Sequence, residues 1–454
     1  MKTMRKTLAV LLALTMALAL GGTAAAEREA RRMETAADAD EWAAAFLGEH
    51  PEELDGVWLM TPQMQAAVAQ LGGMKGMAGS LAMLGEIVRI EAACAEKVQG
   101  YDAFFIPCVF TAMPLDLILT VQDGAIAGLG TGAYTGGGEK EEAGPASFRS
   151  VELALPVPAL NGELPGTLTL PEGDGPFPAV VLVHGSGPND RDETVMGLKP
   201  FRDLAEGLAA QGVAVYRFDK RTYVYGAAMA ADRQATLMDE SVEDAAAAVQ
   251  LLASQEGIDP ERIFVLGHSL GGNAVPAIAR VLRDCPTDAR GFILMAASPR
   301  PLEVLMREQA AFLLSLMPEI PAEVQAETDA LLADLDKLQD LDALTDDDTV
   351  AGAYAPYWKW LAAYDILTAA EEITQPCLVL QGEEDYQVTM TDFGLWRDAL
   401  GDQENWRFIS YPGLTHCFTP GQKTEGSAAY ARTEKVDAQV ILDIAAFVLG
   451  NGAR

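Results

Sequence analysis

Gly267-His268-Ser269-Leu270-Gly271 constrains the fold of this chain more than any other stretch. It reads G-x-S-x-G. A short β-branched and apolar run, residues 262–266, stands directly before it. A helical run with small residues in its first turn, residues 272–280, stands directly after it. Between a strand and a helix this pattern predicts a nucleophile elbow, a strained turn that exposes the serine hydroxyl at the C-terminal edge of the strand. The two glycines are needed because a Cβ at either place would meet the neighbouring strand or helix.

The surroundings have an α/β pattern. Residues 179–183, 213–218, 262–266, 292–296, 377–381 and 406–411 are short apolar runs. Residues 201–210, 241–253 and 390–400 have helical spacing, and 428–449 reads as a closing helix with a break near its start. Buried strands alternating with helices predict a mostly parallel sheet covered on both faces. Residues 148–155 and 166–170 alternate as an edge hairpin. The alternation stops between Ser298 and Thr374. There Leu331, Leu332, Leu335, Leu338 and Leu341 recur at helical spacing, with Asp334, Asp336, Asp340 and Asp342 among them. Tyr354, Tyr357, Trp358, Trp360 and Tyr364 follow. This predicts a helical insertion at about 299–375. Its acidic run reads as a solvated helix face, because no glycine-punctuated calcium loop appears. Its aromatics read as core packing or as a substrate wall.

Residues 27–135 form a separate, small α+β unit. Helical spacing at 30–46 and 63–71 precedes strand-like runs at 87–92, 101–112, 115–121 and 125–129, with an Asp123-Gly124 turn. Between them, residues 72–85 are Gly/Met-rich. Nothing in this unit has catalytic spacing, and nothing names a protein partner for it. A glycine- and charge-rich linker, 136–147, leads to the α/β region at 148–454. Lys2, Arg5 and Lys6, an apolar stretch at 8–20 and Ala24-Ala25-Ala26 give residues 1–26 the pattern of a secretory signal peptide. The expected location is therefore secreted or on the cell-envelope exterior, with no membrane span left after cleavage. A formal net charge of -34 argues against a nucleic-acid partner. Cys94, Cys108, Cys285, Cys377 and Cys417 match no zinc spacing. They read as buried thiols, with Cys94 and Cys108 close enough in sequence to pair after export.

A serine hydroxyl needs a base within hydrogen-bond reach, and the base needs an orienting acid. The chain has only four histidines. His50 lies in the N-terminal unit. His184 ends a strand in a His-Gly turn, where it supports the loop. His268 sits inside the elbow, with its side chain directed away from the serine. His416 remains as the base, in a loop after the strand at 406–411. The acid is expected between serine and histidine in chain order. Asp385 follows the strand at 377–381 and is chosen ahead of Glu383 and Glu384. An oxyanion needs two backbone donors. One is the N–H of Leu270 at the helix start, the other Ser186 N–H, with Gly187 as the alternative, in the loop after Val183. Asp190, Arg191, Asp192, Asp219, Lys220 and Arg221 are expected to pair with one another and brace the nearby loops.

His184-Gly185-Ser186-Gly187-Pro188-Asn189-Asp190-Arg191-Asp192-Glu193-Thr194 resembles the signature of a bacterial branch of the α/β-hydrolase family. That branch comprises secreted esterases related to dienelactone-hydrolase and acyl-peptidase-like proteins. Phe218-Asp219-Lys220-Arg221-Thr222 and Pro165-Gly166-Thr167-Leu168-Thr169-Leu170-Pro171 resemble it too, so the likeness covers roughly 148–450. The N-terminal unit is similar to an uncharacterised domain fused ahead of such hydrolases. The resemblance implies an α/β-hydrolase fold with a helical cap, a triad at Ser269, Asp385 and His416, and hydrolysis of short-chain carboxylic esters. Cys417-Phe418 after the histidine departs from the pattern of that branch. A small-molecule ester is the expected partner, and neither a metal nor an organic cofactor is expected. A serine peptidase or amidase, and a catalytically silent envelope-binding module, are the competing readings.

Overall fold

The computed structural model describes residues 30–48, 50–79, 81, 87–98, 101–110, 114–132, 148–431 and 434–450. The expected signal peptide (1–26) and linker (136–147) lie outside the described residues. The chain divides into two compact units. One is Met1–Ala143 with Val195–Gly197 and Tyr430–Thr433; the other is Gly144–Thr194, Leu198–Ala429 and Glu434–Arg454.

The first unit begins with α1 (Ala36–Phe46), α2 (Pro62–Gln70) and α3 (Gly73–Gly79). Thr35 and Asp38 close a capping box at the start of α1, satisfying backbone donors that the helix cannot. A sheet follows: β1 (Ile87–Ile90), β2 (Cys94–Val98), β3 (Tyr101–Phe110), β4 (Pro114–Gln122) and β5 (Ala125–Gly132). The order is β1-β3-β4-β5, with β2 also paired to β3, and the pairings are antiparallel. Trp42 and Phe46 pack with Phe104, Ile106, Leu117 and Leu119 in its core. The sequence pattern does not reveal β2. Its first two residues, Cys94 and Ala95, are both exposed and so do not alternate. Cys94 is therefore an exception to the expected buried thiols, whereas Cys108, Cys377 and Cys417 are buried.

The second unit opens with β6 (Phe148–Glu152), a small hairpin of β7 (Leu155–Val157) and β8 (Gly162–Leu164), and β9 (Gly166–Pro171). Next come β10 (Phe177–Val183), α4 (Pro200–Ala210), β11 (Ala214–Phe218), α5 (Arg221–Val224), α6 (Gly226–Ala231), α7 (Glu243–Ala253), β12 (Ile258–His268), α8 (Leu270–Leu282) and β13 (Gly291–Met295). The insertion holds α9 (Leu302–Ser315), α10 (Ala322–Leu335), the short hairpin β14 (Thr349–Val350) and β15 (Ala353–Tyr354), α11 (Ala355–Ala363) and α12 (Ile366–Glu371). β16 (Cys377–Gly382), α13 (Met390–Leu400), β17 (Trp406–Tyr411) and α14 (Ala438–Leu449) complete the unit.

One eight-stranded sheet runs β17-β16-β13-β12-β10-β11-β9-β6. β11 through β17 along that order are parallel, and β9 and β6 extend the edge antiparallel. Consecutive apolar residues in β10 serve opposite layers. Val180 and Leu182 pack with Phe201 and Leu204 of α4 and Ile444 of α14. Val181 and Val183 pack with Val249 of α7 and Ile278 of α8. Burial on both faces is why these strands read as unbroken apolar runs. From β10 the chain steps to one side (β11) and then returns to the other (β12). The loops after β10 and β12 therefore flank the point where strand order reverses, and open α/β sheets bind ligands there.

The closing segment is broken near its start, and its α-helix covers Ala438–Leu449. The helix begins where the Asp437 side chain caps Gln439 N–H. Residues Lys423–Ala431 form a 3-10 stretch kinked at Gly426.

Candidate active site

The turn after β12 has the strain that its motif predicts. Ser269 sits at φ 53°, ψ -121°, a conformation that costs a non-glycine residue of order 1–3 kcal/mol. Close packing leaves no alternative to the flanking glycines. A Cβ on Gly267 would lie 2.2 Å from the Gly271 carbonyl oxygen, and one on Gly271 would lie 2.2 Å from that of Val183. Ser269 N–H donates to Met295 O at 2.9 Å, which pins the turn to β13. Ser269 itself is half-buried. Leu270 is the first residue of α8, where a backbone N–H points out of the helix.

His416 and Asp385 are buried side by side. His416 Nδ1 lies 2.7 Å from Asp385 Oδ2. Asp385 also accepts from Gln387 N–H at 2.7 Å and Val388 N–H at 3.0 Å on Oδ1, and from Gln381 Nε2 at 3.0 Å on Oδ2. With both oxygens engaged, its position is fixed. The two glutamates weighed beside it turn elsewhere. Glu383 accepts from Ser410 Oγ, and Glu384 accepts from Lys423 N–H. The His416 loop touches the elbow directly, for its carbonyl faces His268 Nε2 at 3.0 Å.

The loop after β10 lies over the serine. A Cβ on Gly185 would come within 3.1 Å of Ser269 Cβ. Gly185 N–H donates to Glu193 Oε1 at 2.6 Å, which leaves the next N–H groups, those of Ser186 and Gly187, as the candidates to face a ligand. Asn189 Nδ2 donates to the carbonyls of Gly185, Ser186 and Gly187 at 3.1–3.3 Å and gathers the turn. His184 supports this loop, with Nε2 donating to Asp190 O at 2.9 Å. Its ring is packed between Phe201 and Phe218.

Burial is the largest influence on His184 and drives its pKa from 6.5 down to about 4. The folded protein thus keeps this ring neutral while the unfolded chain takes up a proton. Stability should fall as pH drops from 6.5 towards 4, by about 3 kcal/mol from this group. Urea unfolding at stepped pH checks this: His184→Asn should lose less stability across that window than the wild type.

A second buried pair lies behind the elbow. His268 Nδ1 is 2.9 Å from Glu193 Oε2, close but bent away from a straight hydrogen bond, so charge attraction carries the contact. Burial alone would lower the His268 pKa; the Glu193 charge, with help from the His416 carbonyl, outweighs it and holds the value raised. Burial likewise opposes Glu193 ionisation, and His268 overcomes it to hold the carboxyl lowered. Sequence reasoning places His268 away from the serine but does not find this partner. Glu193 lies within the segment 184–194, yet no local spacing connects it to His268.

The six charged loop residues do brace the site, mostly with partners outside their own group. Arg191 pairs with Asp219 at 3.1 Å and with Glu152 at 2.6 Å. Arg217 holds Asp192 at 2.8 Å, and Arg221 holds buried Asp244 at 2.6 Å. Lys220 turns inward to Glu240 and to the Gly185 carbonyl. The insertion is tied down the same way: Arg300 donates to buried Asp392, which also accepts from Ser298 Oγ. Its acidic residues pair with neighbours, Asp336 with Arg307 and Asp334 with Lys337. A cavity of about 460 Å³ lies between the insertion and the start of α8, lined by Leu237, Leu270, Asn273, Leu302, Trp358 and Tyr364 among others. In the aromatic cluster Trp358 is buried core that also lines this cavity, and half-buried Tyr357 bonds Glu240. Among the described residues no helix is long and apolar enough to cross a membrane.

The sheet order, the elbow at its centre and the buried His–Asp pair beside it define a serine hydrolase of the α/β-hydrolase fold. The family model described as serine aminopeptidase, S33 matches residues 176–420, just over half of the chain. Esterase EstD of Thermotoga maritima is 37% identical over 305 residues, covering 67% of this chain and 68% of that protein. The chain belongs to this α/β-hydrolase family. Thiohydrolase AneE of Aspergillus aculeatus is 32% identical over 171 residues, which cover 38% of this chain and 46% of that one. Among solved structures, Est1E from Butyrivibrio proteoclasticus aligns over 64% of this chain and 98% of its own at TM-score 0.40 and 16% identity.

Proposed function

We propose that this chain is an exported serine esterase that hydrolyses short-chain carboxylic esters through Ser269, His416 and Asp385. The observation that carries the proposal is the buried His416–Asp385 contact at 2.7 Å, on a loop bonded to the elbow itself. Ser269 Oγ attacks the ester carbonyl while His416 Nε2 takes its proton. Asp385 holds the Nδ1 proton, which fixes the tautomer and stabilises the imidazolium. The developing oxyanion accepts from Leu270 and Ser186 N–H, each contributing about 3 kcal/mol to the transition state. His416 then protonates the departing alcohol, and water releases the acyl group by the same route. The identity to an esterase over two thirds of the chain supports esters as substrates. The cavity beside Leu270, with a mixed lining that includes Leu270, Leu302 and Trp358 beside Asn273 and Arg300, has room for a small acyl or alcohol group. Export rests on the pattern of residues 1–26.

The aminopeptidase description of the matching family keeps one second reading, a peptidase or amidase on the same residues. Substrate preference divides them. p-Nitrophenyl esters of graded acyl length and aminoacyl anilides are compared on the intact protein, with kcat/KM as the measurement. The expected result is highest kcat/KM on the short acyl esters and at most slow turnover of the anilides. Anilide turnover without ester turnover would establish the peptidase instead.

A further inference from the structure

The peptide that supplies the proposed Ser186 donor is held from behind by a buried lysine. The Gly185 carbonyl and the Ser186 N–H belong to one planar trans unit, so they point in opposite directions. Lys220 Nζ donates to that carbonyl at 2.7 Å, and its side chain is only 2% exposed. The other end of Gly185 is equally fixed, by Glu193 on its N–H. Lys220 is held in turn by Glu240 Oε1 at 2.5 Å. Glu240 Oε2 accepts from the hydroxyl of Tyr357, in helix α11 of the insertion, at 2.7 Å. The chain of contacts runs Tyr357, Glu240, Lys220, Gly185 carbonyl, Ser186 N–H.

We propose that Lys220 is a positioning residue for the oxyanion hole, aiming and polarising the Ser186 N–H through the Gly185 carbonyl, with Tyr357 of the insertion holding Lys220 in place through Glu240. A charged donor on a carbonyl draws electron density towards the oxygen. The N–H of the same peptide becomes a stronger donor, and charge-assisted bonds in a dry site act strongly. The effect grows with the negative charge on the acceptor, so it favours the tetrahedral oxyanion over the neutral ester. Lys220 reaches the reaction only through this peptide. Burial of an ammonium with a single carboxylate would suffice for an ordinary ion pair. Here the ammonium is shared between Glu240 and the carbonyl of the peptide that carries the proposed Ser186 donor.

This inference rests on the proposed use of Ser269 and Ser186, and its test separates the two. Lys220→Met removes the charge. Lys220→Met combined with Glu240→Gln also removes the stranded carboxylate while keeping an acceptor for Tyr357, so it guards against a folding defect. For each variant, kcat and KM on p-nitrophenyl acetate are measured together with inhibition by a trifluoromethyl ketone. The ketone takes Ser269 Oγ at its carbonyl carbon to form a tetrahedral anion, the displaced proton passing to His416. Both variants are expected to lose roughly 10- to 100-fold in kcat, with KM little changed. Ketone affinity should fall by the same factor as kcat/KM. Tyr357→Phe, which leaves the lysine's ion pair intact, should show the same pattern at a few-fold. A merely structural ion pair predicts that the double variant recovers wild-type kcat and ketone affinity. That recovery, or a rise in KM with kcat intact, overturns the proposal while the wild type remains an active esterase. A wild type that turns over neither esters nor anilides and does not bind the ketone overturns both readings.

Discussion

Replacing Ser269 with alanine is expected to lower kcat on the preferred ester by roughly 10⁶-fold while leaving the fold intact. The size follows from what is lost. Alanine has no nucleophile, so the only remaining rate enhancement comes from substrate placement and the two oxyanion donors. The fold survives because the backbone carries the turn. Ser269 N–H still bonds Met295 O, and Gly267 and Gly271 keep their close approaches. The strained φ of 53° is no harder for alanine than for serine. Steady-state kinetics and a thermal melt on the same preparations check this. A phosphonate ester adds the residue assignment: mass spectrometry should find the adduct on Ser269 in the wild type and none in the variant. An alanine variant that retains a tenth or more of the rate would remove the serine from the mechanism.

Much of this site was legible in the sequence because it depends on local geometry. Gly267 and Gly271 announce close approach, and the neighbouring backbone oxygens at 2.2 Å give the reason. The parallel strands announce themselves by burial on both faces, as Val180 and Val181 do. His416 is singled out by elimination among four histidines, and the structure pairs it with Asp385 at 2.7 Å. What separates Asp385 from Glu383 and Glu384 is different in kind. Two backbone N–H groups, from Gln387 and Val388, hold its Oδ1, and that turn geometry has no spacing signature. The position of the break in the closing segment is not legible, because its apolar pattern does not show the Asp437 cap or the kink at Gly426. β2 is not legible because Cys94 and Ala95, consecutive and both exposed, show no alternation. Pairings distant in sequence, such as Lys220 with Glu240 and Glu193 with His268, were the least legible. They connect loops that only the folded sheet brings together, and each member alone reads as an ordinary charged or polar residue.

Glu193→Gln should therefore produce the largest loss of stability of any single change near the site. Both ring nitrogens of His268 face oxygens, Glu193 Oε2 at 2.9 Å and His416 O at 3.0 Å, an arrangement that favours the charged ring and raises its pKa. Glutamine can still accept Gly185 N–H through its amide oxygen, but it cannot neutralise a buried imidazolium. Removing one partner of such a pair costs about 3–5 kcal/mol. In a domain of this size that corresponds to a melting temperature lower by roughly 10 °C. The pH dependence carries the diagnostic sign. The Glu193 pKa is lowered in the fold, so its contribution is present above the ordinary carboxylate range and is lost as pH falls through the lowered value. The His268 pKa is raised, so its contribution is present below the ordinary imidazole value and is lost as pH rises through the raised one. The pair stabilises the wild type most between those two limits. In Glu193→Gln nothing holds the His268 proton, and the alkaline arm of the profile should flatten. Urea unfolding followed from about pH 5 to about pH 9 reads both the offset and the change of shape. A variant that melts within about 2 °C of the wild type, with the same profile, would mean that His268 is neutral in the fold and that the loop over Ser269 owes nothing to this charge.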